Sequence, residues 1–97
     1  MKVRYDPGSD ALAIELVPFA EYRRSYDHTV EVNEEHLGVD VDKEGRPLGI
    51  EVLWASKGFD LEPVIERLGL EEVADELREI QRREFKPDLV WKKTPSA

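Results

Sequence analysis

Asp40, Asp42, Glu44, Gly45 and Glu51, in the stretch DVDKEGRPLGIE, stand at positions 1, 3, 5, 6 and 12 of a calcium-loop spacing. Calcium takes hard oxygen ligands, and the glycine permits the sharp turn. Three features favour a hairpin turn instead. Glu44 is longer than the usual ligand at its position, Pro47 falls inside the loop, and the flanking residues read as strands rather than helices. No specific calcium site is expected.

Other chemistries find less. His28 and His36 are too far apart for a zinc-helix motif, so His28 is expected in the core or at its rim and His36 in a turn. Ser9, Ser25, Ser56 and Ser96 lack the glycine-flanked elbow of a nucleophilic serine. Gly45 and Gly49 precede no helix that could receive a phosphate. No catalytic, cofactor-binding or metal-binding residue is assigned.

The elements that would carry these residues are legible from periodicity. Apolar residues alternate at Val3 and Tyr5, at Leu12, Ile14 and Leu16, and at His28, Val30 and Val32. The alternation resumes at Leu37, Val39 and Val41, and again at Leu48, Ile50 and Val52. Turn-forming runs separate most of these strands, which implies hairpins and a five-strand antiparallel meander over residues 2–57. From Phe59 the period becomes helical. Asp60 suits a cap, Pro63 a first turn and Gly69 a helix stop, with a second stripe at Leu70, Val73, Leu77 and Ile80. The expected fold is α+β, a single domain 1–97 with a helical pair over 59–84 covering the apolar face and a tail over 85–97. Trp54 and Phe59 are expected as a lid on the core.

Alternation also fixes the opposite face. It carries Arg4, Ala13, Glu15, Thr29, Glu31, Gly38, Asp40, Gly49, Glu51 and Leu53. The four carboxylates Glu15, Glu31, Asp40 and Glu51 could bind a hard cation, which gives the alternative reading of a divalent-metal enzyme or ligand-binding domain. The bland reading is a solvated surface. Ala11, Ala13, Gly38 and Gly49 are small enough to admit another layer, expected as a second sheet from another subunit.

The 97 residues carry 22 acids, 14 bases and a formal charge of −8. That balance works against phosphate neutralisation, so no nucleic-acid binding is expected. No apolar run is long enough for a membrane span, and cysteine is absent, which together lead to an expectation of a cytoplasmic protein. One Asn and one Gln beside abundant Glu and Arg suggest a thermophilic origin.

The pattern K-x-R-Y-D-x-x-x-D-A-L-A-I at residues 2–14, followed by D-x-D-x-x-G-x-P-L-G-I-E-V-L-x-A-S-K at residues 40–57, resembles the small prokaryotic family termed domain of unknown function 2283. The chain departs from that pattern at Ala13, where an aromatic is usual, and by extra residues around Pro18 to Arg24. The resemblance implies a compact antiparallel domain and brings no catalytic residues. It also implies an antitoxin-like role by association, because some relatives sit beside small toxin-like genes.

These readings converge on a non-enzymatic protein-interaction module, working as a homodimer and suited by its charge to a basic protein partner. Leu89, Val90 and Trp91 form an apolar run beyond both helices and are the expected partner contacts.

Overall fold

A computed structural model of the chain describes residues 1–33 and 36–88. Five strands form one antiparallel sheet: β1 (Lys2–Asp6), β2 (Ala11–Glu15), β3 (His28–Asn33), β4 (Leu37–Val41) and β5 (Pro47–Leu53). Alternation places Leu12 and Ile14, Leu37, Val39 and Val41, and Leu48, Ile50 and Val52 on one face, where all are buried. Three helices accompany the sheet: α1 (Phe19–Ser25), α2 (Glu62–Leu68) and α3 (Ala74–Gln81). Leu61, Val64 and Ile65 from the α2 region join Ala74, Leu77 and Ile80 of α3 and the sheet's apolar face in one continuous core. The α+β architecture and the helical cover are as the periodicity implies.

Local chemistry explains the helix limits. The Asp60 carboxylate accepts a hydrogen bond from the Glu62 amide at 3.0 Å. Pro63 lies in the first turn, where its missing N–H costs nothing. Gly69 closes the helix at φ 64°, a left-handed conformation that glycine adopts without penalty. A short 3₁₀ turn, Glu71–Val73, then leads into α3.

The strand order corrects the expected meander. It is β1-β2-β5-β4-β3, so β2 pairs with β5 while β3 lies at the far edge. The cause is α1, which occupies the segment where the alternation fades. Strand β2 ends at Glu15, and Pro18 precedes the helix with φ −58°. Seven helical residues advance about 10 Å, a useful part of the distance past two strands spaced about 4.8 Å apart. Helix α1 thus carries the chain across the sheet's outer face.

Trp54 needs a second correction. Strand parity points it inward, but its backbone is left-handed at φ 56° and ψ 44°, and the side chain is 49% exposed with Lys57 Nζ 6.0 Å from the ring centroid. Phe59 does pack on the core, beside Phe85 at 6.1 Å between ring centroids. Phe85 also meets Tyr5 at 5.0 Å, and the Asp88 amide donates to the Pro7 carbonyl at 2.8 Å. Leu89, Val90 and Trp91 lie outside the described residues.

Candidate functional site

Strand pairing arranges the outer face in rows. One row runs Lys2, Glu15, Gly49, Asp40, Thr29, and the next runs Arg4, Ala13, Glu51, Gly38, Glu31. A third contains Asp6, Ala11 and Leu53. The four candidate carboxylates therefore share a face but not a place.

Helix α1 lies over the first row. The Tyr22 ring sits directly on Gly49, where a Cβ would overlap it. The close approach expected of the small residues is real at this position, but the layer is the chain's own helix rather than a second sheet. Tyr22 Oη donates to Asp40 Oδ2, and Thr29 Oγ1 donates to Asp40 Oδ1 at 2.6 Å. Thr29 has given its one proton to Asp40, so Tyr26 Oη is the donor in the 3.0 Å contact between Tyr26 and Thr29. Burial and the bond to Asp40 push the Tyr22 phenol well above its ordinary pKa, with the nearby Glu51 and Glu15 charges adding to the shift.

Glu15 of that row and the charged groups flanking it are also internally paired. Glu15 is buried and meets Arg4 at 3.0 Å. Glu21 of α1 meets Arg46 at 2.6 Å, tying the helix to the turn between β4 and β5. Within that turn Asp42 accepts hydrogen bonds from the Glu44 and Arg46 amides and from Arg46 Nε. The Arg46 amide, and after it the Glu44 amide and the Arg46 guanidinium, hold the Asp42 carboxyl below its ordinary pKa against a partial opposing effect of burial.

The calcium-loop spacing accordingly disperses in space. Asp42 folds onto its own turn, Asp40 is engaged by Tyr22 and Thr29, and Glu51 projects from β5 beside Gly38 and Ala13. Among the described residues no three His, Cys, Asp or Glu side chains are grouped to hold a metal ion. His28 is exposed on edge strand β3 with Nδ1 2.8 Å from Asp27, and His36 stands in the turn before β4.

A second constellation, which the sequence does not announce, joins the turn after β1 to the end of β5. Asp10, at φ 55°, accepts bonds from Tyr5 Oη at 2.6 Å, Ser56 Oγ at 2.7 Å and the Ser56 amide at 3.0 Å. Its carbonyl receives the Ala55 amide at 3.0 Å. Burial alone would raise the Asp10 carboxyl, but the bonds from Tyr5 and Ser56 outweigh it and leave the pKa below 3.8. Burial first, then the bond to Asp10, pushes the Tyr5 phenol up to about 12. The only sequence signal is the presence of a Y-D-x-x-x-D block and an A-S block, with nothing to say that they touch.

Residues 2–56 match the model of a family described as protein of unknown function, DUF2283. The chain belongs to this family. The DUF2283 match ends at Ser56, the residue that closes the ring with Asp10 and Tyr5, so the family region is the sheet with its own lock. Helices α2 and α3, which bury its apolar face, lie beyond the match. Comparisons with curated proteins and with solved structures give no match.

Among the described residues, the second and third rows line open grooves. Glu51 and Leu53 form a ridge on β5 between two shallow grooves. One groove is lined by Arg4, Asp6, Ala11, Ala13 and Glu51, the other by Thr29, Glu31, His36, Gly38 and Glu51.

Proposed function

We propose that this protein is a non-enzymatic interaction module that works as a homodimer and offers an acidic exterior to a basic protein partner, as an antitoxin-like protein would. The supporting observation is where large apolar side chains remain in water. Phe19 at the start of α1 and Tyr26 just after its end are 52% and 48% exposed, and Leu53 at the end of β5 is 40% exposed, with Trp54 beside it. These residues belong to the outer side of the sheet or its rim, while the opposite face is sealed by α2 and α3. Aromatic residues beside arginines are characteristic of interface centres, and here Arg4 and Arg23 stand about 6 Å from the Phe19 ring.

The net charge of −8 favours a basic partner through steering and complementarity. In this reading the protein acts in the cytoplasm, and its amide-poor composition fits a high-temperature origin. Light scattering at ~100 μM tests the dimer, because a standard interface gives micromolar or tighter affinity. The expected mass is twice the 11.2 kDa of the chain, and a mass of 11.2 kDa overturns the homodimer.

A further inference from the structure

Resting on the homodimer reading above, we propose that two copies join edge to edge, each β1 pairing antiparallel with the partner's β1 about a two-fold axis through Arg4. The two sheets then form one continuous antiparallel sheet, with Lys2 of each copy opposite the partner's Asp6. Strand β1 is an edge of the sheet and pairs only with β2 among the described residues. Such an edge carries a row of backbone donors and acceptors ready for another strand.

The residues of the strand, Lys-Val-Arg-Tyr-Asp, select the axis. A two-fold axis normal to the sheet keeps both apolar faces on one side, so opposite residues must share a face. The axis can then pass through Val3, Arg4 or Tyr5. Through Val3 it sets Lys2 against the partner's Arg4 twice, and like charges directly opposite are destabilising. Through Tyr5 it lays the partner strand along Pro7, which has no N–H and whose carbonyl already receives the Asp88 amide at 2.8 Å. Through Arg4 it pairs the whole strand, Lys2 with Asp6 twice and Val3 with Tyr5 twice. The central Arg4 faces its own copy, but each guanidinium holds Glu15 at 3.0 Å, so two ion pairs meet there rather than two bare cations.

The other edge offers no such match. Strand β3 has Glu31 as its only acid and no Lys or Arg, and its pairing is irregular between Glu31 and Asn33, a device that blunts an edge. Around β1 the side chains suit the role. Lys2 is exposed, and the Glu15 across from it is already taken by Arg4. Asp6 is exposed too. Its oxygens accept from the Gly8 amide at 3.0 Å and from Ser9 Oγ at 2.9 Å, and each keeps a lone pair for the partner's ammonium. Val3 and Tyr5 are only partly buried at the margin of the core, and each gains cover from the partner's copy of the other. On the outer side Phe19, 52% exposed and beside Arg4, lies next to the axis. Helix α1 runs from Phe19 to Tyr22 over Gly49 on β5, away from this edge, so the two copies of α1 diverge from the plane where the strands meet.

Charge exchange across the pair tests the axis, with masses read by light scattering over a dilution series and folding checked by thermal melts. Lys2→Glu should weaken the dimer about tenfold, because the two-fold opposes two pairs of carboxylates at once, with an unchanged melt at low protein concentration. Adding Asp6→Lys to that variant should return the dimer constant to within about threefold of the wild type. In a mixture of isotope-labelled and unlabelled wild-type chains, NMR contacts should join the Val3 methyls of one copy to the Tyr5 ring of the other, a reading that needs no variant to fold. A dimer indifferent to Lys2→Glu, unrescued in a folded double variant, or lacking the Val3–Tyr5 contact overturns this pairing while leaving the homodimer standing. A monomeric wild-type protein overturns both the pairing and the homodimer.

Discussion

Two adjacent rows of the same sheet face have opposite fates. In the row of Glu15, Gly49 and Asp40, every carboxylate is bonded by its own chain and a helix lies over the strands. In the row of Ala13, Glu51 and Gly38, the carboxylate is exposed and nothing from the described chain covers it. Alternation along the strands treats these rows alike, because it assigns a side chain to a face and says nothing about what stands above that face. The difference lies in one crossing. Tyr22 finds a flat seat at Gly49 and an acceptor at Asp40, and the helix that carries it spans β5 and β4. One half of the face becomes interior. The other half lines open grooves among the described residues.

The strongest way to break this contrast is Gly49→Ala. The new methyl occupies the space of the Tyr22 ring, so the ring must leave and Asp40 loses its phenol donor. Overpacking and the lost charge-assisted bond together predict a cost of about 2–3 kcal/mol, measured by urea unfolding. A variant as stable as the wild type would show that α1 is not held there.

Asp10→Asn probes the lock at the end of the sheet, with a cost of about 1–2 kcal/mol at neutral pH. Asn tolerates the left-handed backbone at this position, so the loss reports hydrogen bonding. The pH profile sharpens the test. Asp10 titrates below 3.8 in the folded protein, so its contribution is complete above about pH 5 and fades as pH falls through the folded value. Unfolding midpoints between about pH 5 and pH 3 should fall less steeply in Asp10→Asn than in the wild type. Tyr5 acts at the other end of the scale. With its folded pKa raised from 10.0 to about 12, its contribution is complete below pH 10 and is lost as pH rises through about 12.

The smallest effect belongs to the open row. A Cβ on Gly38 would lie 3.1 Å from Thr29 Cγ2 and 3.6 Å from the Val30 carbonyl, a crowding that a shift of a few tenths of an ångström relieves without breaking the Thr29–Asp40 bond. Gly38→Ala should therefore cost less than about 1 kcal/mol, well below Gly49→Ala on the same face. Equal losses in the two variants would erase the distinction between the rows.

How much of this was legible depends on the range of each signal. The apolar sets Leu12 and Ile14, Val39 and Val41, and Ile50 and Val52 announced their strands because period two is local. Gly69 announced a helix end for the same reason. Strand order was hidden, since the helix that decides it is seven residues long and buries none of them. Pro18, an early Glu21 and the late Arg23 and Arg24 were its only marks. Trp54 was misplaced because a single left-handed residue reverses the parity that the strand maintains up to Leu53. The Asp10 lock joins residues 46 apart, a separation at which no periodicity operates. The small residues did foretell close approach on the outer face, but the layer at Gly49 proved to be the chain's own helix.

If the open row, rather than the covered one, is the surface this protein uses, association must register there first. Backbone amide chemical shifts followed by NMR across a dilution from about 1 mM to 10 μM test this directly, a range that spans association at micromolar affinity. Concentration-dependent shifts are expected at Arg4 and Ala13, with Gly49, Asp40 and the residues of α2 and α3 unmoved. Shifts confined to the helical side, or none anywhere in a protein of monomeric mass, would contradict it.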